Sequence, residues 1–210
     1  MGIVIIDNVV QLAVTAGCGI YSAVLFIRRK EQAWFLLTCF YGAFSLGLIN
    51  WTLFIWFRAA APQFFSVSDL NWIAGGLFLL ALQTTIRLPG EGAYRPLWAW
   101  AVPVFCAVMS LYFFQYSAHL LDILWTVPLG GCGYFALRGL LFARRQSAQA
   151  RGTQYFHMVV LIYILLEHCL WVASCDWKGD TLSNPYFWFD FLLTATYFSF
   201  LPALKRAVAK

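Results

Sequence analysis

Seven long apolar runs, separated by short polar breaks, organise this chain. They fall at roughly residues 3–27, 33–57, 68–86, 97–115, 119–142, 155–175 and 186–204. A helix needs about 20 mostly apolar residues to cross the hydrocarbon of a bilayer, and each run meets or nears that length. The breaks are charged or turn-like: "RRKEQ", "RAAAPQFFSVS", "RLPGEGAYRP", "QYSAH", "ARRQSAQARGTQ" and "DWKGDTLSNP". The fourth is short, so the fourth and fifth runs should form a tight hairpin. The pattern predicts an all-α polytopic membrane protein, with one seven-helix transmembrane domain over residues 1–210.

Composition strengthens this reading. Of 210 residues, 62% are hydrophobic and 11% charged, against about 25% charged in soluble domains. The formal net charge of +5 would suggest nucleic acid in a soluble chain. Here the basic residues sit at the ends of the runs, so the expected partner is the lipid bilayer and not nucleic acid. Of 14 Lys and Arg residues, all but Arg58 and Lys178 lie on one side, from Arg28 to Lys210. Basic residues mark the cytoplasmic side. The N-terminus is therefore expected outside and the C-terminus in the cytoplasm, in a multi-pass protein of the plasma (inner) membrane. The opening "MGIVIIDNVV" has no basic leader and places Asp7 early in the apolar run. That fits a retained first helix rather than a cleaved signal peptide. The six cysteines form no C-x-x-C pair and fall mostly within apolar runs, which fits packing rather than zinc or disulfides.

The acids mirror the bases. Asp7, Asp69, Asp122, Asp176, Asp180 and Asp190 are expected at or near the outer side, with Glu31 and Glu91 on the cytoplasmic side. Asp7 and Asp69 read as carboxylates in the first turn of outward-starting helices, where they satisfy free N–H groups. "SVSD" at Ser66–Asp69 has the form of a capping box, and Asn184–Pro185 that of an N-cap followed by proline. Asp122 and Asp190 lie deeper than a first turn.

Glu167 has no cap to form. It stands in the middle of "YILLEHCLWVASC", about 20 Å from the inner end of its helix. An ionised carboxylate at a helix centre costs about 2.5–3.5 kcal/mol to insert, so such groups face the interior and find a partner. Its stripe is Val160, Tyr163, Glu167, Trp171 and Ser174, a face that should point inward. No base is expected at that depth, which leaves a proton, His168 or a ligand to balance the charge. His168 is rotated by about 100° and is expected to face a neighbouring helix. His119, His157 and His168 lie at three depths, which argues against a three-histidine zinc hydrolase of the alkaline-ceramidase type.

Other polar and aromatic residues share the outer half. Taken singly, the tryptophans read as an aromatic belt. Together with the acids they suggest a site for a cationic amine, through ion pairing and cation–π attraction. The expected ligand-binding set is Glu167, His168, Asp190, Asn50, Asp69, Trp72, Trp171, Trp188 and Tyr163. No catalytic residue, metal ligand or cofactor is expected. The fifth run carries Pro128, Gly130, Gly131 and Gly133. These predict either close packing through small residues or a broken helix lining a substrate path.

Two resemblances bear on function. "DLNWIAGG" and "DILWTVPLGG", with "GCGIY" and "GCGYF", resemble the 3+1+3 repeat of SWEET sugar transporters in topology. "SDLNWIAGGLFLLALQ" and "FWFDFLLTATYFSFLPALKR" resemble seven-helix sensory domains of bacterial signalling proteins. The second resemblance implies an outward-facing sensor for a small ligand. With no output module among these residues, it implies a separate cytoplasmic or membrane signalling partner. A small-solute transporter using Glu167 as a proton or cation site is the alternative. A membrane-embedded enzyme is third, because no G-x-S-x-G or H-E-x-x-H motif supports it.

Overall fold

A computed structural model describes residues 2–58, 60, 62, 66–146 and 150–209. Lys210, parts of the second break (59, 61 and 63–65) and residues 147–149 of the fifth lie outside the described residues. Among the described residues there are seven α-helices and no strand. They are α1 Ile3–Arg29, α2 Gln32–Arg58, α3 Val67–Thr85, α4 Ala101–Phe113, α5 His119–Ala143, α6 Arg151–Cys175 and α7 Pro185–Ala207. Five of them, α1, α2, α5, α6 and α7, are long and apolar enough to cross a membrane. The 19-residue α3 falls outside that set. So does the stretch Leu97–Phe113, which opens as a 3-10 turn over Leu97–Trp100 before α4 begins.

The helix ends follow from local chemistry. Ser66 Oγ accepts from Asp69 N at 3.3 Å, while Ser66 N donates to Asp69 Oδ2 at 2.8 Å. This is the expected capping box. Asn184 Oδ1 accepts from Tyr186 N at 3.0 Å, with Pro185 at the first helical position. Lys30 adopts a left-handed φ of 57°, and its N–H closes α1 on Phe26 O at 2.7 Å.

The cap expected of Asp7 is different in the structure. α1 begins at Ile3, so Asp7 lies beyond the first turn and is buried. Asp180, from the α6–α7 connection, takes the capping role instead, its Oδ1 accepting from Val4 N at 2.9 Å.

Six helices form a ring in the order α1–α2–α3–α5–α6–α7, with α7 returning to α1, and α4 lies outside against α5. Rings fill the centre. Phe40 and Phe44 of α2 pack on Tyr163 of α6 at 6.0 and 6.3 Å, and on Tyr197 of α7 at 6.0 and 5.0 Å. Each such pair is worth about 0.5–1.5 kcal/mol beyond area burial. Tyr41 Oη donates to Tyr197 O at 2.6 Å and ties α2 to α7.

Small residues set the helix spacings. Gly47 and Gly75 let α2 and α3 close up, because a Cβ on either would run into Trp72 or Phe44. α5 is continuous through Pro128. Gly131 faces Leu80, while Gly130 and Gly133 face Pro103 and Val102. The small residues of the fifth run therefore serve close packing.

Most distinctive is α1, whose buried residues are all polar apart from Cys18: Asp7, Asn8, Gln11, Thr15 and Ser22. Ile6, Val9, Ile20 and Ile27 are exposed. Polar inside and apolar outside is the arrangement that lipid, not water, favours.

Candidate buried acidic site

Four helices bring carboxyls toward one another near the end of the bundle where α1 begins, here termed the N-face. Each helix uses residues one turn apart, so that both lie on one face. α1 supplies Asp7 and Gln11, α7 supplies Asp190 and Thr194, α6 supplies Tyr163 and Glu167, and α5 supplies Asp122 and Trp125. The four acids are 1% to 4% exposed.

Asp190 and Asp7 lie within hydrogen-bonding reach of each other. Gln11 Nε2 donates to Asp190 Oδ1 at 2.5 Å and to Thr194 Oγ1 at 3.3 Å. Tyr186, at the start of α7, lies one turn before Asp190, with its ring packed on Trp177 at 5.2 Å. Glu167 accepts from Tyr197 Oη at 3.4 Å. The Tyr163 hydroxyl faces Glu167 but completes no hydrogen bond.

On its other side Glu167 borders a cavity of about 20 Å³. Asp122, Trp125, His168, Trp171 and Ser110 help to line it. That volume holds about one water molecule. Asp122 Oδ1 accepts from Ser117 Oγ at 2.5 Å. Asp122 Oδ2 and Trp125 Nε1 are buried without a partner. Buried polar atoms are nearly always paired, and one water in this cavity would be within reach of residues whose polar atoms lack a partner.

The charge is one-sided. Two ion pairs occur among the described residues, Arg138–Glu91 at 3.0 Å and Lys178–Asp176 at 3.3 Å. Neither involves the four acids. Among the described residues, no three His, Cys, Asp or Glu side chains are grouped to hold a metal ion.

The expected site residues divide. Glu167, Tyr163 and Asp190 meet in one cluster, and His168 and Trp171 line the cavity beside it. His168 turns toward α4 as its rotation predicts. Its Nδ1 lies 2.7 Å from Ile164 O and its ring 4.9 Å from Phe105. It also borders a second hollow, a largely apolar surface groove of about 430 Å³ between α4, α6 and α7.

Four others are engaged elsewhere. Asp69 closes the cap of α3. Half-buried Trp72 packs on Trp51 at 5.5 Å, between α2 and α3. Asn50 Nδ2 donates to Leu46 O at 2.8 Å. Trp188 is 57% exposed and donates to Leu182 O at 2.9 Å. Asp7, Gln11 and Asp122 are the members not foreseen as ligands. The polar spacing 7, 11, 15, 18, 22 along α1 was the available signal for the first two.

No protein-family model, curated protein or solved structure matches the chain.

Proposed function

We propose that the protein is a seven-span integral membrane protein of the plasma (inner) membrane, N-terminus outside, that binds a small cation at the buried acidic site. In this reading the N-face is the outer face, and the protein acts as a receptor or sensor for the bound charge, with a partner at the cytoplasmic side. The observation that carries it is the set of four buried carboxyls, none of them in an ion pair. An uncompensated acid in apolar surroundings must take up a proton or a cation.

Size narrows the ligand. A pocket for a drug-sized molecule has about 300–1,000 Å³, and the cavity beside Glu167 has about 20 Å³. A proton on a water or a bare monovalent ion fits that hollow, whereas an organic amine would need the helices to part. Trp125 and Trp171 both line it and pack against each other edge to face, with ring centroids 5.5 Å apart.

A thermal-shift series in detergent tests the proposal, with lithium, sodium, potassium, ammonium and methylammonium chlorides at one ionic strength. Selective stabilisation by one cation, lost in Glu167→Gln and in Asp122→Asn, is the expected result. Equal response to every salt in wild type and variants would sink it.

The transporter reading has one observation in its favour, a line of polar side chains along α1 that continues below the acids. It predicts counterflow of the stabilising salt cation itself in reconstituted vesicles, which a sensor lacks.

A further inference from the structure

The polar face of α1 is a ladder. At its head Asp7 meets Asp190, and Gln11 donates to Asp190 and Thr194. One turn on, Thr15 Oγ1 accepts from Ser45 Oγ of α2 at 3.0 Å. Cys18 faces Tyr41 of α2. Ser22 Oγ accepts from Thr38 Oγ1, also of α2, at 3.1 Å. From Asp7 to Ser22 is about 22 Å along the axis, most of the roughly 30 Å of bilayer hydrocarbon.

Hydroxyls and amides alone would serve to glue transmembrane helices together. A ladder headed by two carboxyls is a different object. Ionised carboxylates are acceptors only, so the Asp7–Asp190 contact closes only when one of them carries a proton. Asp7 Oδ1 has no hydrogen-bond partner, although Asp7 is 1% exposed. The titratable groups close enough to feel the charge of the pair are Glu167 from α6 and Tyr186 and Tyr197 of α7. α2 brings Ser45 and, lower down, Tyr41. None of these is a base.

We propose that Asp7 and Asp190 form a proton-exchange pair, and that the α1–α2 seam carries protons between this pair and the opposite end of the bundle. This rests on reading the acids as a site for positive charge, but it adds a route that cation binding at Glu167 does not require. The transfer balances without a co-reactant. As an O–H bond forms on Asp190, the one on Asp7 breaks, and the charge of the pair is unchanged. Thr15, Ser22 and Thr38 donate to carbonyls of their own helices, Gln11 O, Gly19 O and Trp34 O, so each hydroxyl must turn, take one proton from a bridging water and release its own to the next. Rungs one helical turn apart are about 5.4 Å apart, the span of one bridging water with two hydrogen bonds of about 2.7–2.8 Å.

The test uses the full chain in phosphatidylethanolamine–phosphatidylglycerol vesicles, with a pH-sensitive dye inside and a valinomycin-set potassium potential. Wild type is expected to take up protons faster than protein-free vesicles. Asp190→Asn should fall to the protein-free rate, the double variant Thr15→Val with Ser45→Ala should be severalfold slower than wild type, and outward-facing Thr84→Val should match wild type. Size exclusion and helical content establish that each variant is folded. If Asp190→Asn does not fold, the Thr15–Ser45 variant alone decides. Wild-type uptake no faster than empty vesicles, or undiminished uptake in a folded Asp190→Asn or Thr15–Ser45 variant, overturns the proposal. A cation-induced thermal shift without proton uptake would discard the route and leave the cation site standing, so the two failures are distinguishable.

Discussion

Glu167 differs from the other buried glutamate, Glu91, in having no cation. Glu91 Oε1 accepts from Arg138 Nε and Nη2 at 3.3 and 3.0 Å, and its Oε2 accepts from Leu88 N at 3.2 Å. Phe135 lies under the guanidinium at 4.9 Å. Glu91 therefore has structural work, pinning the α3–α4 connection to α5. Removing one partner of a buried ion pair leaves the other uncompensated, at about 3–5 kcal/mol. Arg138→Leu should destabilise the fold by that amount in denaturant titrations in detergent. Replacing both partners together by Leu should cost much less than Arg138→Leu alone. Glu167→Gln should behave in the opposite way. It keeps an acceptor for Tyr197 while removing a charge that costs about 2.5–3.5 kcal/mol to insert. In cation-free buffer its melting temperature should equal or exceed that of wild type, with the cation-induced shift gone. A large loss of stability instead would make Glu167 a structural acid.

At the scale of elements, the number and order of the helices were legible and their rotation was not. All seven helices could be read, and breaks such as Asn184–Pro185 and Ser66–Asp69 fix their ends through capping chemistry, whereas α4 opens four residues later than its run and α6 four residues earlier. Which face each helix presents is harder. In lipid, both the buried and the outward faces of α2 and α3 are apolar, so Asn50 on α2 and Trp72 on α3 had no azimuth that the pattern could reveal. α1 is the exception, since its polar stripe marks the buried side. Asp7 belongs to that stripe, yet an acid near an apolar start also looks like a cap. The true cap, Asp180, is 176 residues away in sequence from Val4, beyond the reach of any local pattern. The Glu91–Arg138 pair joins a loop to a helix and was hidden for the same reason. Lys30 gives an element-scale prediction. A non-glycine residue in the left-handed region costs about 1–2 kcal/mol. Lys30→Gly should therefore stabilise α1 by up to that amount, read as a higher denaturation midpoint with an unchanged slope. An unchanged or lower midpoint would show that the turn is not strained there.

For the whole molecule, the ring of six helices with α4 outside places the four buried acids that lack an ion pair toward the N-face and the Glu91–Arg138 pair toward the opposite end. This polarity turns the orientation into a functional statement, because the acids must be reached from one side. In a cysteine-free background, a cysteine at Ser183 should react with a membrane-impermeant maleimide in intact cells. One at Gln146 should react only after permeabilisation. The reverse pattern would turn the site toward the cytoplasm and remove the sensor reading. The claim beneath all of this is that four helices gather carboxyls into one charge-accepting site. Labelling membranes with a hydrophobic carbodiimide, which attacks protonated carboxyls in apolar surroundings, and mapping the adducts by mass spectrometry tests that claim most directly. Adducts are expected on Glu167, Asp122, Asp190 or Asp7, suppressed by the same cation that stabilises the protein. Adducts confined to exposed Asp176 and Asp180, or labelling of the buried four that no cation suppresses, would contradict it.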